Sequence, residues 1–445
     1  MKELLSVRKV IAAMLVVLWC APSFPLPWWF HVAIIGMLIM VDIKGSFEYP
    51  AVLAFLLPLL ACIAEFHVSH SKSRLIPILG FWLPQLSIYL AARVALRKYS
   101  ATAAMNILLL TIAGALLFLF FDAVGVDLHS LLPSYKNADV TGLSEGFMEY
   151  GDERRFRGFF GEASSFSGTV VYFNLVAIGL LVSQKTRISA RSILYKFALG
   201  FFGLSLLLAV VLPLSKAGAL VLLAAVPAGF IWVLLDRKLA VASVIGLAGL
   251  AVAAGVFFGS SKINRRVTDY VRTEIANAQD AATEEQGSSG SSSRKVHWTM
   301  TREVLDRYPL GAGHTGIKQV FLEPHTFTPN YEMQMRIPAD VYGMMNASAD
   351  IATLTGWPGI IASLLILLTP AARAINLRRK RRCTTTQVFI VLALTSAAAA
   401  YVSVVETFFF LSLFALLEAA AREITREPEP VVEEEYYPEY TVATT

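Results

Sequence analysis

The stretch DERRFRGFFGEASSFSGTVVYFNLVAIGLLVSQ, from Asp152 to Gln184, decides the fold. It opens with charged side chains and continues into an apolar run close to the ~20 residues that cross a bilayer. Charges are costly beside a bilayer, so arginines with a carboxylate at a membrane edge indicate a site for an anionic, lipid-linked substrate. The stretch therefore predicts a membrane span with a binding site at its start.

The composition of the whole chain agrees with a membrane-spanning fold. Of 445 residues, 56% are hydrophobic and only 16% are charged, too few polar side chains to cover a soluble globule of this size. Apolar runs of near-spanning length recur along the chain. We therefore predict an all-α, polytopic transmembrane helical bundle.

Twelve candidate spans can be placed by their apolar runs. They lie near 10–22, 27–45, 49–65, 75–94, 102–125, 165–184, 195–213, 218–235, 239–258, 350–369, 387–403 and 404–421. The last two are separated mainly by Glu406, and the total is eleven if they form one kinked element.

The distribution of Lys and Arg predicts the orientation, because short basic loops stay in the cytoplasm. The basic N-terminus and four basic loops then lie inside, both termini are cytoplasmic, and 126–164 and 259–349 face the periplasm. Lys72 and Arg74, in a short outer loop, break the rule. They are either a tolerated exception or a phosphate contact near the lipid surface.

The predicted spans divide the chain into four parts. These are a transmembrane bundle at 1–258 that includes the outer loop 126–164, a large periplasmic loop subdomain at 259–349, C-terminal transmembrane helices at 350–421, and a disordered cytoplasmic tail at 422–445. The tail is rich in Pro, Glu and Tyr, a composition that favours disorder.

The large outer loop contains two predicted helices. Lys262–Glu285 has amphipathic spacing, and GSSGSSS then forms a linker. Arg294–Tyr308 is the second helix; Pro309 ends it, and PLGAGHTG is expected to form a tight turn.

Several classes of function are disfavoured by the motifs. The chain has no GxxxxGKS phosphate loop, and its outer loops have no His-x-x-x-His or DxD-like pair. An ATP-driven pump and a metal-dependent sugar-nucleotide transferase are therefore disfavoured, and we expect no metal or cofactor. The net charge of +5 comes largely from inner loops and does not indicate nucleic-acid binding.

Basic residues at the outer ends of spans are the candidate substrate ligands. Guanidinium groups of Arg154, Arg155 and Arg157 can bind phosphate oxygens in pairs, or anchor a helix end to lipid headgroups. Lys216 begins a later span and is either a ligand or a snorkelling lysine. Arg294 and Arg302, in the loop helix, are ligands or solvated charges.

A carboxylate and two histidines are the candidate proton acceptors. Glu162 can orient or deprotonate a sugar hydroxyl, or pair with Arg155 or Arg157. His314 and His325 are on the outer side in the predicted topology. A neutral imidazole there either accepts a proton from a hydroxyl or forms hydrogen bonds within the loop.

Three stretches resemble the O-antigen ligase and Wzy-type polymerase family of bacterial envelope glycosyltransferases. RFRGFFGEASSFSG, from Arg155, is similar to its Arg, Gly-aromatic, Glu-Pro-Ser pattern before a span. LPLSKAGALVLLAA, from Leu212, is similar to its Ser-Arg-x-Gly opening of a later span, with Lys216 in the arginine place. RKVHWTMTREVLDRYPLGAGHTG, from Arg294, is similar to its Arg-x-x-x-Trp helix and Pro-x-x-Gly-x-Gly. The likeness covers roughly residues 100–420.

Two departures favour a polymerase over a ligase. Family members often carry His-Asn about eleven residues before a Gly that opens the span after the large loop. The aligned pair here is Met345-Asn346 before Gly356, and His325 either replaces the histidine in space or is not needed. Glu-Ala-Ser stands in place of Glu-Pro-Ser.

The resemblance implies a GT-C-like bundle and metal-independent glycosyl transfer at the outer face of the bacterial inner membrane. The donor is a glycan on undecaprenyl diphosphate, and the acceptor is the hydroxyl of a second lipid-linked unit. The diphosphate is expected to be bound by Arg157, Lys216 and Arg294. Supporting contacts are expected from Arg154, Arg155 and Arg302. The attacking hydroxyl is expected to be oriented or deprotonated by Glu162 or His325. Membrane lipid and a chain-length co-polymerase are the other candidate partners.

Two alternatives stay open. A ligase would pass the polymer to lipid A core with the same donor site. A transporter or flippase would need charged side chains midway along spans, whereas Glu65 and Arg93 are predicted near span ends.

Overall fold

The computed structural model describes residues 2–20, 28–97, 101–124, 126, 160, 163–183, 192–213, 216–235, 300–321, 346–404 and 410–426. The predicted span 239–258, helix 262–285, linker and residues 427–445 of the C-terminal tail lie outside these residues, as does almost all of the loop 126–164. The prediction of a disordered tail is wrong for 422–425, which continue the last described helix, with Ile424 buried against the bundle. Within the described residues the regular structure is helical throughout.

The helices, numbered in chain order, follow the predicted apolar runs closely. They are α1 Lys2–Cys20, α2 Trp28–Val41, α3 Ile43–Ser46, α4 Tyr49–Ser69, α5 Leu75–Leu96, α6 Ala101–Ala123, α7 Ala163–Val182, α8 Ile193–Val211, α9 Lys216–Leu235, α10 at 300–307, α11 Gly313–Phe321, α12 Ala347–Arg379, α13 Thr385–Val404 and α14 Phe410–Thr425. A short 3-10 helix, Lys72–Arg74, precedes α5.

Seven helices of the described chain are long and apolar enough to cross a membrane. They are α4, the segment Lys72–Leu96 that includes α5, α6, most of α7, α8, α12 and α13. Shorter apolar helices lie at Lys9–Cys20, Trp29–Val41 and Ala217–Ala228. The predicted class, a polytopic helical membrane protein, is confirmed, while the count of twelve spans stays a prediction.

Aromatic side chains fill one end of the bundle, which we call the aromatic end. The Trp19 ring of α1 lies 4.9 Å from the Phe173 ring of α7, and Trp82 of α5 lies 6.0 Å from Phe410 at the start of α14. All four side chains are buried. The Trp19 indole also donates to the Ser412 hydroxyl at 3.1 Å, so α1, α5, α7 and α14 meet there.

Ionic side chains fill the opposite end, which we call the charged end. Arg93, near the end of α5, is 7% exposed and donates to Glu48 at 3.0 Å and to Glu418 of α14. Arg97 donates to Asp42 at 2.9 Å and to Glu48. These pairs tie α5 to the α2–α4 connection and to α14. Glu65 and Arg93 lie near helix ends, as the sequence predicts.

The predicted alternative of one kinked final element is wrong. Phe410 packs on Trp82 and Glu418 on Arg93, so α14 runs from the aromatic end to the charged end. The Tyr401 hydroxyl, late in α13, bonds Thr169 near the start of α7, so α13 approaches the aromatic end. The two helices therefore run in opposite directions and pack on each other.

The expectation of a tight turn over the whole of PLGAGHTG is also corrected. The turn occupies 309–312, and helix α11 begins at Gly313. Gly311 and Gly313 have φ of 103° and 60°, left-handed values that glycine adopts without a Cβ clash. After these two residues the chain returns to helical geometry, with Ile317 and Val320 buried. The second loop helix is described over 300–307 and ends before Pro309.

Candidate functional site

The start of α7 packs directly on the start of α9. A Cβ on Gly218 would lie 2.1 Å from the Ser167 hydroxyl oxygen, so glycine allows the two helices to approach closely here. The Ser167 hydroxyl donates to the Ala209 carbonyl of α8 at 2.6 Å. The residues that follow the Arg-Gly-Phe-Phe-Gly-Glu stretch are thereby brought against the helix that Lys216 begins.

Further contacts fix the start of α7 inside the bundle. Phe160 is 1% exposed, and its ring lies edge-on to Phe166 at 5.3 Å. One turn on, Thr169 and Tyr401 share a hydrogen bond of 2.8 Å. The end of the basic stretch is therefore anchored at the aromatic end by buried side chains.

Helix α12 is broken where the segment 309–312 meets it. Gly356 has φ 65° and ψ −160°, a conformation that is essentially restricted to glycine. In an unbroken helix the Trp357 amide would donate to the Thr353 carbonyl. Here Trp357 donates to the Pro309 carbonyl at 2.9 Å, and the Ala312 amide donates to Thr353 at 2.8 Å. The break thus removes one hydrogen bond within α12 and adds two hydrogen bonds between α12 and the segment 309–312.

Glu65 attaches the same loop segment to α4. It is 1% exposed, and it accepts hydrogen bonds from the Thr315 amide at 3.0 Å and from the Thr315 hydroxyl. The carboxylate sits at the N-terminus of α11, where free amides and the helix dipole favour a negative charge. The ring of His314 lies edge-on to Phe81 at 6.5 Å. Helix α11 is therefore fixed between α4 and α12.

Most of the predicted ligands lie outside the described residues. This applies to Arg154, Arg155, Arg157, Glu162, Arg294 and His325. Lys216 is described by its backbone, as the first residue of α9. Its neighbour Ala217 and the nearby Val221 are buried against the bundle.

Arg302 is the predicted ligand whose side chain is described. It is 85% exposed and lies 4.0 Å from Asp306, one turn along α10. Thr301 and Val304, on the other side of the helix, are buried. Arg302 therefore points away from the packed side of α10, and its exposure gives no support to a direct role on the diphosphate.

Sequence reasoning gave no role to two buried polar residues at the start of α12. Asn346 caps the helix, its side chain accepting from the Ala349 amide at 2.8 Å. Asp350 is 3% exposed in the first turn. An Asn immediately before a helical run is a recognisable cap signal, whereas burial of Asp350 depends on packing that one sequence does not display.

No group of three or more His, Cys, Asp or Glu with metal-binding geometry occurs in the part of the chain that the structure describes. The carboxylates there have other partners. Glu65 accepts from Thr315, and Asp42, Glu48 and Glu418 pair with arginines at the charged end.

The apolar helices and their packing define a multi-pass helical membrane protein. Residues 200–364 match the family model described as O-antigen ligase. The resemblance predicted from the sequence is confirmed over this region, which contains α9, the loop segment 309–312 and the break at Gly356. No curated protein matches the chain. The match supports a membrane enzyme of the ligase or polymerase type.

Proposed function

We propose that the protein polymerises lipid-linked oligosaccharide repeat units. A glycan would pass from undecaprenyl diphosphate to the hydroxyl of another lipid-linked unit at the periplasmic face of the bacterial inner membrane, without a metal. The observation that carries this choice is Met345-Asn346, which stands where the family pattern has His-Asn. Asn346 serves as a helix cap, so the matching position has a structural use without the histidine.

In the proposed reaction the acceptor oxygen forms a bond to the anomeric carbon, and the bond from that carbon to the diphosphate oxygen breaks. The departing diphosphate gains negative charge. Fixed cations stabilise that charge in the transition state. We assign Arg157, Lys216 and Arg294 to this role.

The remaining site residues have secondary assignments. Arg154 and Arg155 support the diphosphate, and Arg302 is retained as an outer contact. Glu162 or His325 orients the acceptor hydroxyl and takes its proton. The loop 259–349 closes over the lateral opening for the lipid, which limits hydrolysis by water.

The described contacts support this assignment by proximity. Gly218 against Ser167 brings the start of α9, which the backbone of Lys216 begins, to the start of α7, the helix that follows the basic stretch. The bonds of Pro309 and Ala312 to α12 fix the end of α10, the helix that follows Arg294. In the proposed orientation the aromatic end is periplasmic, and both termini lie in the cytoplasm.

A ligase is the second candidate, favoured by the description of the matching family model. It would use the same donor and the same cations, and would transfer the finished polymer to lipid A core sugar. The difference lies in the acceptor alone.

Reconstitution with defined substrates separates the two. The purified protein in liposomes receives lipid-linked repeat units alone, or polymer donor with lipid A core. Elongation with repeat units alone, unchanged by EDTA, is the expected result. A product that forms only with lipid A core would assign the ligase, and EDTA inhibition would contradict the metal-free route. A chain-length co-polymerase added to the assay should change product length without being required.

A further inference from the structure

The connection between α4 and α5 concentrates basic side chains. The segment FHVSHSKSR, Phe66 to Arg74, contains two histidines, a lysine and an arginine, and no carboxylate. His67, His70, Lys72 and Arg74 are all exposed. In the proposed orientation this loop faces the periplasm, where basic residues are not needed to set topology. Membrane topology therefore does not explain why these basic residues are here.

An apolar groove runs into this basic segment. It has a volume of about 430 Å³ and is lined by Cys62, Ile63 and Phe66, with His67 and His70 at its end. Leu59, one turn before Ile63, is 55% exposed, and Ile63 is 56% exposed. Residues four apart lie on one face of a helix. The outer face of α4 is therefore apolar along its length and basic where it ends.

The local electrostatics favour an anion at that end. Glu65, the carboxylate next to the segment, is 1% exposed and is used by the Thr315 amide and hydroxyl. Its carboxylate is turned toward Thr315 inside the bundle. The first turn of α5 follows Arg74 directly, and the helix dipole adds positive potential at that end.

We propose that this groove binds a lipid with a phosphate headgroup. The hydrocarbon chain lies along α4 against Leu59, Ile63 and Phe66. The phosphate binds at the α4–α5 connection, through Lys72 and Arg74 with the two imidazoles beside them. A free phosphate ion would use only the basic end, whereas the groove continues from that end into apolar surface. Charge complementarity and the apolar lining together select a lipid.

The proposal does not depend on the transfer reaction. It concerns α4 and α5, outside residues 200–364 that match the family model. Trp82, in the first half of α5, packs on Phe410 at the aromatic end, so this lipid site lies at the same end of the bundle as the starts of α7 and α9. A phosphate-headed lipid would thus be held at the aromatic end before or beside the reacting substrate.

The test is lipid binding to the full-length protein in phosphate-free maltoside detergent, measured by native mass spectrometry. The probes are undecaprenyl phosphate, phosphatidylglycerol, diacylglycerol and inorganic phosphate. At least one phosphate-headed lipid should bind about tenfold or more tightly than diacylglycerol, since hydrogen bonds between charged groups and phosphate are stronger than neutral ones. The preferred lipid then identifies the source of the phosphate.

Two double variants test the residues. Lys72→Gln with Arg74→Gln should weaken binding of the preferred lipid about tenfold, and His67→Gln with His70→Gln should weaken it less. Arg379→Gln with Lys380→Gln, which removes two exposed cations from the end of α12, is the matched control and should bind normally. Ile63→Asp should remove lipid binding through the groove.

Three results would overturn the proposal. Diacylglycerol bound as tightly as the phosphate lipids would show that the headgroup is not recognised. Inorganic phosphate bound as tightly as lipid would assign the segment to a free anion. If the control variant with Arg379→Gln and Lys380→Gln lost lipid affinity equally, net charge alone would explain the weaker binding.

Discussion

Arg157 is the side chain on which the proposed transfer depends most. Arg157→Ala should abolish elongation in the reconstituted assay, because the departing diphosphate would lose a bidentate partner at the moment its charge grows. Arg157→Lys should recover little, since an ammonium group does not reproduce two parallel bonds to phosphate. The amount of membrane protein should be unchanged in both variants.

Arg379→Ala provides a matched loss of one exposed cation and should leave elongation at the level of the unmodified protein. If Arg157→Ala retained elongation activity with normal amounts of protein, the assignment of Arg157 to the diphosphate would be wrong. Retention in Arg294→Ala as well would favour the transporter alternative.

Glu65 illustrates what one sequence conveys about a residue and what it leaves out. The sequence predicts Glu65 near the end of an apolar run, and Glu65 lies near the end of α4. The sequence does not predict its hydrogen-bond partner, because Thr315 lies 250 residues away and the two residues meet only when α11 packs on α4. The arginines of the predicted site show the opposite case: motif and spacing single them out, and their geometry lies outside the described residues.

At the scale of elements, Gly356 sets the break in α12. A Cβ there would lie 2.3 Å from the Gly311 amide nitrogen and 2.4 Å from the Pro309 carbonyl oxygen. Both are backbone atoms that cannot rotate away, and φ 65° adds strain. Gly356→Ala should therefore destabilise the fold by about 3 kcal/mol or more. Thermal unfolding in detergent, followed by size exclusion, measures the loss.

Gly203→Ala is the control for that variant. Gly203 lies inside α8, and a Cβ added there would have no atom within 4 Å, so alanine should be neutral or stabilise by up to about 1 kcal/mol. Equal stability of the two variants would show that the exchanged backbone bonds do not constrain α12.

The contact between α7 and α9 can be tested by compensation. Gly218→Ala should reduce elongation, because its Cβ would meet the Ser167 hydroxyl at 2.1 Å and push the two helix starts apart. Adding Ser167→Ala removes that oxygen and leaves the nearest atoms at 3.2 Å, so the double variant should regain part of the activity. No recovery would mean that the spacing of these helices does not control the site.

Hydropathy predicted where most helices lie, because burial in lipid requires long apolar runs. It did not predict the break in α12. The predicted span 350–369 passes through Gly356. The break depends on bonds to Pro309 and Ala312, which precede Gly356 by 47 and 44 positions in the chain. Helix α12 also continues to Arg379, since arginines and alanines favour helix beyond the apolar run.

At the scale of the whole molecule, Arg93 connects separate parts of the chain at the charged end. It is 7% exposed and binds Glu48 and Glu418, which are far apart in sequence. Arg93→Ala should destabilise the fold by about 1–3 kcal/mol, because the half-buried Glu418 loses this partner, whereas Glu48 keeps Arg97. Adding Glu418→Gln should recover part of that loss. Thermal unfolding of Arg93→Ala, Glu418→Gln and the double variant measures the coupling energy between the two residues. Strictly additive changes in the free energy of unfolding would contradict the pairing.

The exchange of backbone bonds at Gly356 has a consequence for how the protein is made. A segment in hydrocarbon must satisfy its amides and carbonyls within protein. The Trp357 amide and the Thr353 carbonyl find their partners only in the segment 309–312. That segment leaves the ribosome before α12 does, so the partners are already present when α12 reaches the membrane. The order of synthesis thus matches the order in which these groups need to be paired, and α12 can bend during biogenesis without waiting for α13 or α14.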